Sequence, residues 1–282
     1  MVACARLALA FARSPSTRIS IVSEAISENA KRPKVGLFVT CLVDLFRPNV
    51  GFSALELLEK AGCDVSVPDV QTCCGQPGYN SGDFTTAQSL ARQVMAAFEE
   101  FDYVVGPSGS CMGMLREHYS ELFPLEGAWA HRAKTLGERC YELTSFLTDV
   151  MGLESVDVTY TGKVTYHDSC SSLREMGVKG QPRKLLKTVE SLDLVEMEQT
   201  EVCCGFGGSF CVKYPEISAR LAGDKITNAE ATGAQTLLAG DMGCLMNLAG
   251  RLKRQRSPMK VYHVAEVLAG RTNGVPSIGE DS

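Results

Sequence analysis

Eight cysteines of this chain recur in two matching sets, and clustered thiols are its most reactive groups. Cys41 closes the run Lys34-Val35-Gly36-Leu37-Phe38-Val39-Thr40-Cys41, and Cys170 closes Lys163-Val164-Thr165-Tyr166-His167-Asp168-Ser169-Cys170. Cys73-Cys74-Gly75 has a partner in Cys203-Cys204-Gly205. Pro107-Ser108-Gly109-Ser110-Cys111-Met112-Gly113-Met114 is answered by Gly240-Asp241-Met242-Gly243-Cys244-Leu245-Met246-Asn247. Tyr141 to Leu147 likewise resembles Tyr262 to Leu268. The spacing between partners barely drifts, so the chain reads as a tandem duplication.

Thiols held together in this way bind soft metals or do redox chemistry. Structural zinc sites usually take cysteines two to four residues apart, from one loop onto one ion. Adjacent cysteines diverge in extended backbone, which suits a multi-iron cluster better because each sulfur can reach a different iron. Zinc and metal-free redox thiols remain the alternatives on these residues alone. Gly75 and Gly205 give the chain freedom for close approach or positive φ, and Gly207 and Gly208 leave amides free to point at cluster sulfur. These four glycines are the cofactor-binding candidates, and Cys41, Cys73, Cys74, Cys111, Cys170, Cys203, Cys204 and Cys244 are the metal-ligand candidates. No residue is assigned a catalytic role.

The elements that must position these thiols follow from the pattern. A strand over 35–40 ends at Cys41, a helix spans 50–61, and a strand over 63–68 precedes Cys73. Asp83 caps a helix running to about 100. A strand over 103–106 leads to the turn of Cys111. The second half repeats the order, with a strand over 164–167, a helix over 182–191, a strand over 194–197, a helix over 215–232 and a strand over 236–239. Strands alternating with helices imply an α/β fold with a parallel sheet in each half, the halves related by an approximate two-fold. Sites in such sheets form beyond the carboxyl ends of the strands, where every repeated cysteine falls. The expected division is 1–33 as a leader outside the core, 34–155 and 160–272 as the two domains, and 273–282 as a tail.

The motifs then carry a resemblance. Cysteine, a long gap, Cys-Cys-Gly, a second long gap and a terminal cysteine is similar to the CCG, or cysteine-rich, domain family. That domain occurs in the heterodisulfide reductase B subunit, the iron–sulfur subunit of glycolate oxidase and lactate utilization protein A, and over roughly 34–270 the chain most resembles the last. The resemblance implies an iron–sulfur electron-transfer subunit of a cytoplasmic complex oxidising L-lactate to pyruvate. Its implied partners are a ferredoxin-like iron–sulfur subunit and a third subunit. A glycolate oxidase or heterodisulfide-reductase-type subunit, or a zinc-bound scaffolding protein, are the alternatives. The family's terminal motif often reads Cys-x-x-Cys, but Met114 and Asn247 stand at its last position here. Each half therefore offers four repeated thiols, which favours a [4Fe–4S] cluster per half, or one shared, over the five-thiol type.

Other features bound the reading. A net charge of -5 and the lack of a basic stripe argue against nucleic acid. No apolar run approaches the length of a membrane helix. There is no dinucleotide fingerprint, P-loop or ferredoxin-type cysteine run. Arg6, Arg13 and Arg18 precede the first acid at Glu24 without a clear cleavage site, so the protein is expected in the cytoplasm. Cys4, Cys63 (in a strand) and Cys140 (in a helix) lack repeated partners, the last two reading as core filler. Cys211, close behind Cys204, is a weaker candidate for a ligand or redox partner. His167 and Asp168 are read as orienting residues, and the basic run 251–256 as a solvated helix end.

Overall fold

The computed structural model describes residues 32–124 and 127–280. Most of the leader, with Cys4, lies outside the described residues. Two four-stranded parallel sheets form. In the first half β1 (Lys34–Leu37), β2 (Asp64–Ser66), β3 (Tyr103–Gly106) and β4 (Cys140–Glu142) stand in the order β2-β1-β3-β4. In the second, β5 (Thr159–Tyr166), β6 (Glu190–Leu194), β7 (Thr236–Ala239) and β8 (Lys260–His263) stand in the order β6-β5-β7-β8. Register is equivalent: Gly36 pairs with Val104 and Val105 with Tyr141, as Thr165 pairs with Leu237 and Leu238 with Tyr262. The duplicated α/β architecture expected from the repeat is what the chain adopts.

Local sequence explains the elements. The helix Pro48–Lys60 starts with proline at its first turn, where a missing N–H costs nothing. Asp83 caps Phe84–Ala97 by accepting a hydrogen bond from Thr86 N. The central strands are apolar because both faces are covered, and all four residues of β7 are buried.

Three expectations need correction. Cys140 lies in β4, not in a helix. The expected helix over 182–191 is Gly180–Leu186, and the strand after it is Glu190–Leu194, where 194–197 was expected. β4 and β6 are edge strands, and an edge tolerates polar residues that hide the strand pattern. The strand expected over 164–167 extends back to Thr159 because it gains pairing with β6 there.

The halves share an interface whose contacts are reciprocal. Pro48–Lys60 of the first half packs on Val264–Leu268 of the second, and Gly180–Leu186 of the second packs on Leu143–Ser145 of the first. Gly109–Gly113 meets Cys170–Arg174, as Met242–Gln255 meets Cys41–Phe46. Such reciprocity is what an approximate two-fold demands. One apolar core runs through both halves, from Leu37 and Leu58 to Leu237 and Leu248. A buried ion pair, Arg47 to Glu266 at 2.8 Å, crosses the junction. Ile278 N bonds to Val261 O at 2.9 Å, tying residues near the C-terminus to β8.

Candidate metal centres

Each thiol is set by the end of a strand or the start of the helix beyond it. Cys41 and Cys170 are the first residues of short helices after β1 and β5. Cys111 sits in Gly109–Gly113 after β3, and Cys244 in Met242–Gln255 after β7. Cys73-Cys74 and Cys203-Cys204 lie in the loops after β2 and β6. The parallel order brings all four loops of a half to one edge.

The thiols meet there in the same sequence in both halves. Cys73 contacts Cys41 and Cys74, and Cys74 contacts Cys111. Cys203 contacts Cys170 and Cys204, and Cys204 contacts Cys244. The outer cysteines are partly exposed in the first set, while Cys74, Cys204 and Cys244 are buried. Cys63 and Cys140 are buried in the apolar cores, where burial pushes their thiols up to about 11 and about 12. Cys211 donates to Gly208 O at 3.3 Å.

Electrostatics single out one sulfur per set. Cys73 is held down to about 3, first by the Cys41 thiol, then by Cys74, with the Gly75 amide adding to them against burial. Cys203 falls far below the thiol range by the same route, through Cys170, Cys204 and the Gly205 amide. Their neighbours are pushed the other way: Cys74 by its contacts with Cys111 and Cys73, Cys204 by those with Cys203 and Cys244. In each adjacent pair one thiol is thus held low and its neighbour pushed up, and binding a soft metal would release the protons that remain.

The loop backbone is shaped for this. Gly75 and Gly205 have φ of 87° and 85°, and a Cβ at Gly205 would come within 2.5 Å of Ser218 O. Gly205 N donates to Cys203 Sγ at 3.3 Å, and the Phe206 amide reaches Cys204. Gly208 instead lines a cavity of about 280 Å³ beside the first set. That cavity is lined by Cys41, Cys73, Cys74 and Cys111 and is completed from the second half by Phe206 and Asp241. Asp241 accepts from Ser110 N at 3.1 Å and Ser108 Oγ at 3.1 Å, so a second-half carboxylate fixes the turn that carries Cys111. Thr40, just before Cys41, is held at φ 69° and ψ 144°, a strained setting for a β-branched residue.

The second set has a buried histidine and a buried lysine that the first lacks. His167, fully buried, has no hydrogen-bond partner on either ring nitrogen, and a ring nitrogen lies within 4.8 Å of Cys204 and Cys244 Sγ. Burial first, and the Lys225 charge second, hold its imidazole down to about 3, so it is neutral. Lys225, buried in Pro215–Ala231, donates to Gln199 O and Thr200 O just before Cys203. Sequence reasoning missed Lys225, Asp241 and Phe206. Lys225 had a signal: it falls on the stripe of Ser218, Ala222, Ile226 and Ala229, which a solvated lysine would avoid. Asp168 is pinned by Arg183 at 2.8 and 3.0 Å, which holds the backbone beside His167.

Donors of this kind fit an iron–sulfur group: four converging thiols per half, a low-lying thiolate in each, and amides aimed at sulfur. Among the described residues no helix is long and apolar enough to cross a membrane.

The cysteine-rich domain (CCG) model matches residues 35–116 and 164–249. Lactate utilization protein A of Geobacillus sp. (strain WCH70) is 49% identical over 238 residues, 84% of this chain and 100% of that protein. The protein of the same name from Bacillus subtilis (strain 168) is 48% identical over 84% of this chain and 100% of its own length. A hypothetical protein from Helicobacter pylori shares the fold, with a TM-score of 0.62 at 10% identity, over 90% of this chain and 50% of that one. Identity near one half over the whole length of such relatives, with the cysteine-rich domain model matched in both halves, leaves one conclusion: the chain belongs to the lactate utilization protein A family.

Proposed function

We propose that the chain is the cysteine-rich electron-transfer subunit of a multi-component system that oxidises L-lactate to pyruvate. The observation that carries this reading is the duplicated four-thiol constellation at matching sheet edges. Cys41, Cys73, Cys74 and Cys111 would hold one iron–sulfur cluster, and Cys170, Cys203, Cys204 and Cys244 another. A bound cluster supplies one-electron acceptance and release. The chain's own residues do the rest: Gly205 and Phe206 amides donate to sulfur, Asp241 fixes the Cys111 turn, and the buried flanks exclude water.

Lactate oxidation releases two electrons and two protons, so a partner must take up or deliver what two one-electron centres pass along. A ferredoxin-like iron–sulfur subunit and a third subunit are that partner set, in the cytoplasm. The names of the relatives support the lactate assignment. Deleting the gene should abolish growth on L-lactate and leave growth on pyruvate intact, and tagged protein should bring down a second iron–sulfur protein. Normal growth on L-lactate, in a strain with no other lactate dehydrogenase, would end the lactate assignment.

A further inference from the structure

We infer that His167 is a nitrogen ligand of the second centre, so that this centre is held by imidazole together with thiolates while the first is held by thiolates alone. The inference deepens the proposed function and rests on its iron–sulfur reading.

His167 has 0% exposure, and neither ring nitrogen has a partner. Leaving a buried polar atom empty is costly, and native structures rarely tolerate it twice on one side chain. The Thr200 carbonyl, which accepts from Lys225 Nζ at 3.0 Å, lies near the ring without making a well-formed hydrogen bond to it. What a ring nitrogen does face is sulfur: it, Cys204 Sγ and Cys244 Sγ lie within 4.8 Å of one another. An iron–sulfur centre bound at these sulfurs would bring iron within reach of that nitrogen, and imidazole is an ordinary ligand for iron.

Position supports the same reading. His167 is the first residue after β5, and its backbone N–H donates to Leu238 O at 2.8 Å, so its backbone is anchored to the sheet. Next to it, Asp168 is locked by two hydrogen bonds from Arg183, whose guanidinium stacks on Tyr166 at 5.1 Å. A ligand needs such a rigid base. In the first half the equivalent residue is Phe38, which packs edge-on against Phe98 at 5.6 Å and offers no donor. The skeleton of thiols is duplicated and the imidazole is not.

The test uses full-length protein purified without oxygen and chemically reduced, with pulsed EPR on natural-abundance and nitrogen-15-histidine-labelled samples. A strongly coupled nitrogen that changes on histidine labelling and vanishes in His167→Phe is the expected result. To separate ligation from packing, His167→Cys is the second variant, expected to keep iron and sulfide and still lose the coupling. Iron, sulfide and a reduced-cluster signal with no histidine nitrogen coupling would overturn the ligand assignment and leave the iron–sulfur reading standing. Protein without iron and sulfide would overturn both.

Discussion

The two halves present the same four thiols in different surroundings. Around the first set the chain places Phe38, Val94 and Met95, all buried and apolar. Around the second it places His167 and Lys225. The register is fixed by backbone: Ala87 and Leu90 face Gly75 as Ser218 and Leu221 face Gly205, which sets Lys225 opposite Val94. Even the clamp on the buried cysteine differs. Tyr119 Oη holds Cys74 O at 2.9 Å, whereas Asn247 Nδ2 holds Cys204 O at 2.9 Å. A duplicated fold keeps what fixes the ligands and is free to change what tunes them. The first set opens on a cavity at the junction, and two of the second set's four cysteines are buried. One thiol set thus opens on a cavity, and the other lies beside a buried lysine.

The largest expected effect comes from breaking one half at a time. Cys73→Ser and Cys203→Ser each remove the most acidic thiol of a set, so each should cost about half of the bound iron, leaving the other centre intact. Metal analysis of the two variants and their double checks this. Loss of all iron from either single variant would mean one shared cluster.

Lys225→Met sharpens the comparison electrically. Without its cation the second centre should keep its iron, and its potential should move down toward that of the first in a redox titration. An unmoved potential would mean that Lys225 only ties residues 199 and 200.

Glu142 gives a pH signature outside both sets. Burial raises its carboxyl from 4.5 to about 7, against the pull of its hydrogen bonds from Thr144 and Ser145. The folded form therefore binds the proton more tightly than the unfolded one. Stability is full below about 4.5 and is lost as pH rises through about 7. Glu142→Gln keeps an amide oxygen for those hydrogen bonds, so at pH 8 it should be more stable than the parent by up to about 3 kcal/mol, with no gain near pH 4. Parallel denaturation curves for both proteins across that range would contradict this.

Smaller effects separate ligands from filler. Cys63→Ser or Cys140→Ser places a hydroxyl in an apolar core and should cost about 1–3 kcal/mol. Iron content should stay unchanged, checked by thermal melts beside metal analysis. Asn247→Met, which installs the first half's residue, removes the Cys204 carbonyl clamp and should cost about 1 kcal/mol.

The repeat, the parallel α/β class and the placing of the eight thiols after strands were legible because each rests on local signals: short apolar runs, a capping Asp83, paired cysteines, glycines after them. β4 was hidden because Cys140-Tyr141-Glu142 is an edge strand with an acidic residue at its end. Asp241 reaches Ser108 and Ser110 across the junction, and no spacing rule joins residues so far apart. Lys225 could have been found, since its helix stripe is otherwise small and apolar. His167 drew attention beside Cys170, but only the packed structure shows that both its nitrogens are empty.

The central claim is that two thiol sets hold two iron–sulfur clusters, and the most direct measurement is iron and acid-labile sulfide per chain in anaerobically purified protein, with its visible spectrum. Two [4Fe–4S] clusters predict about eight irons and about eight sulfides per chain, with broad visible absorption that bleaches on reduction. A colourless protein holding zinc and no sulfide would contradict the account.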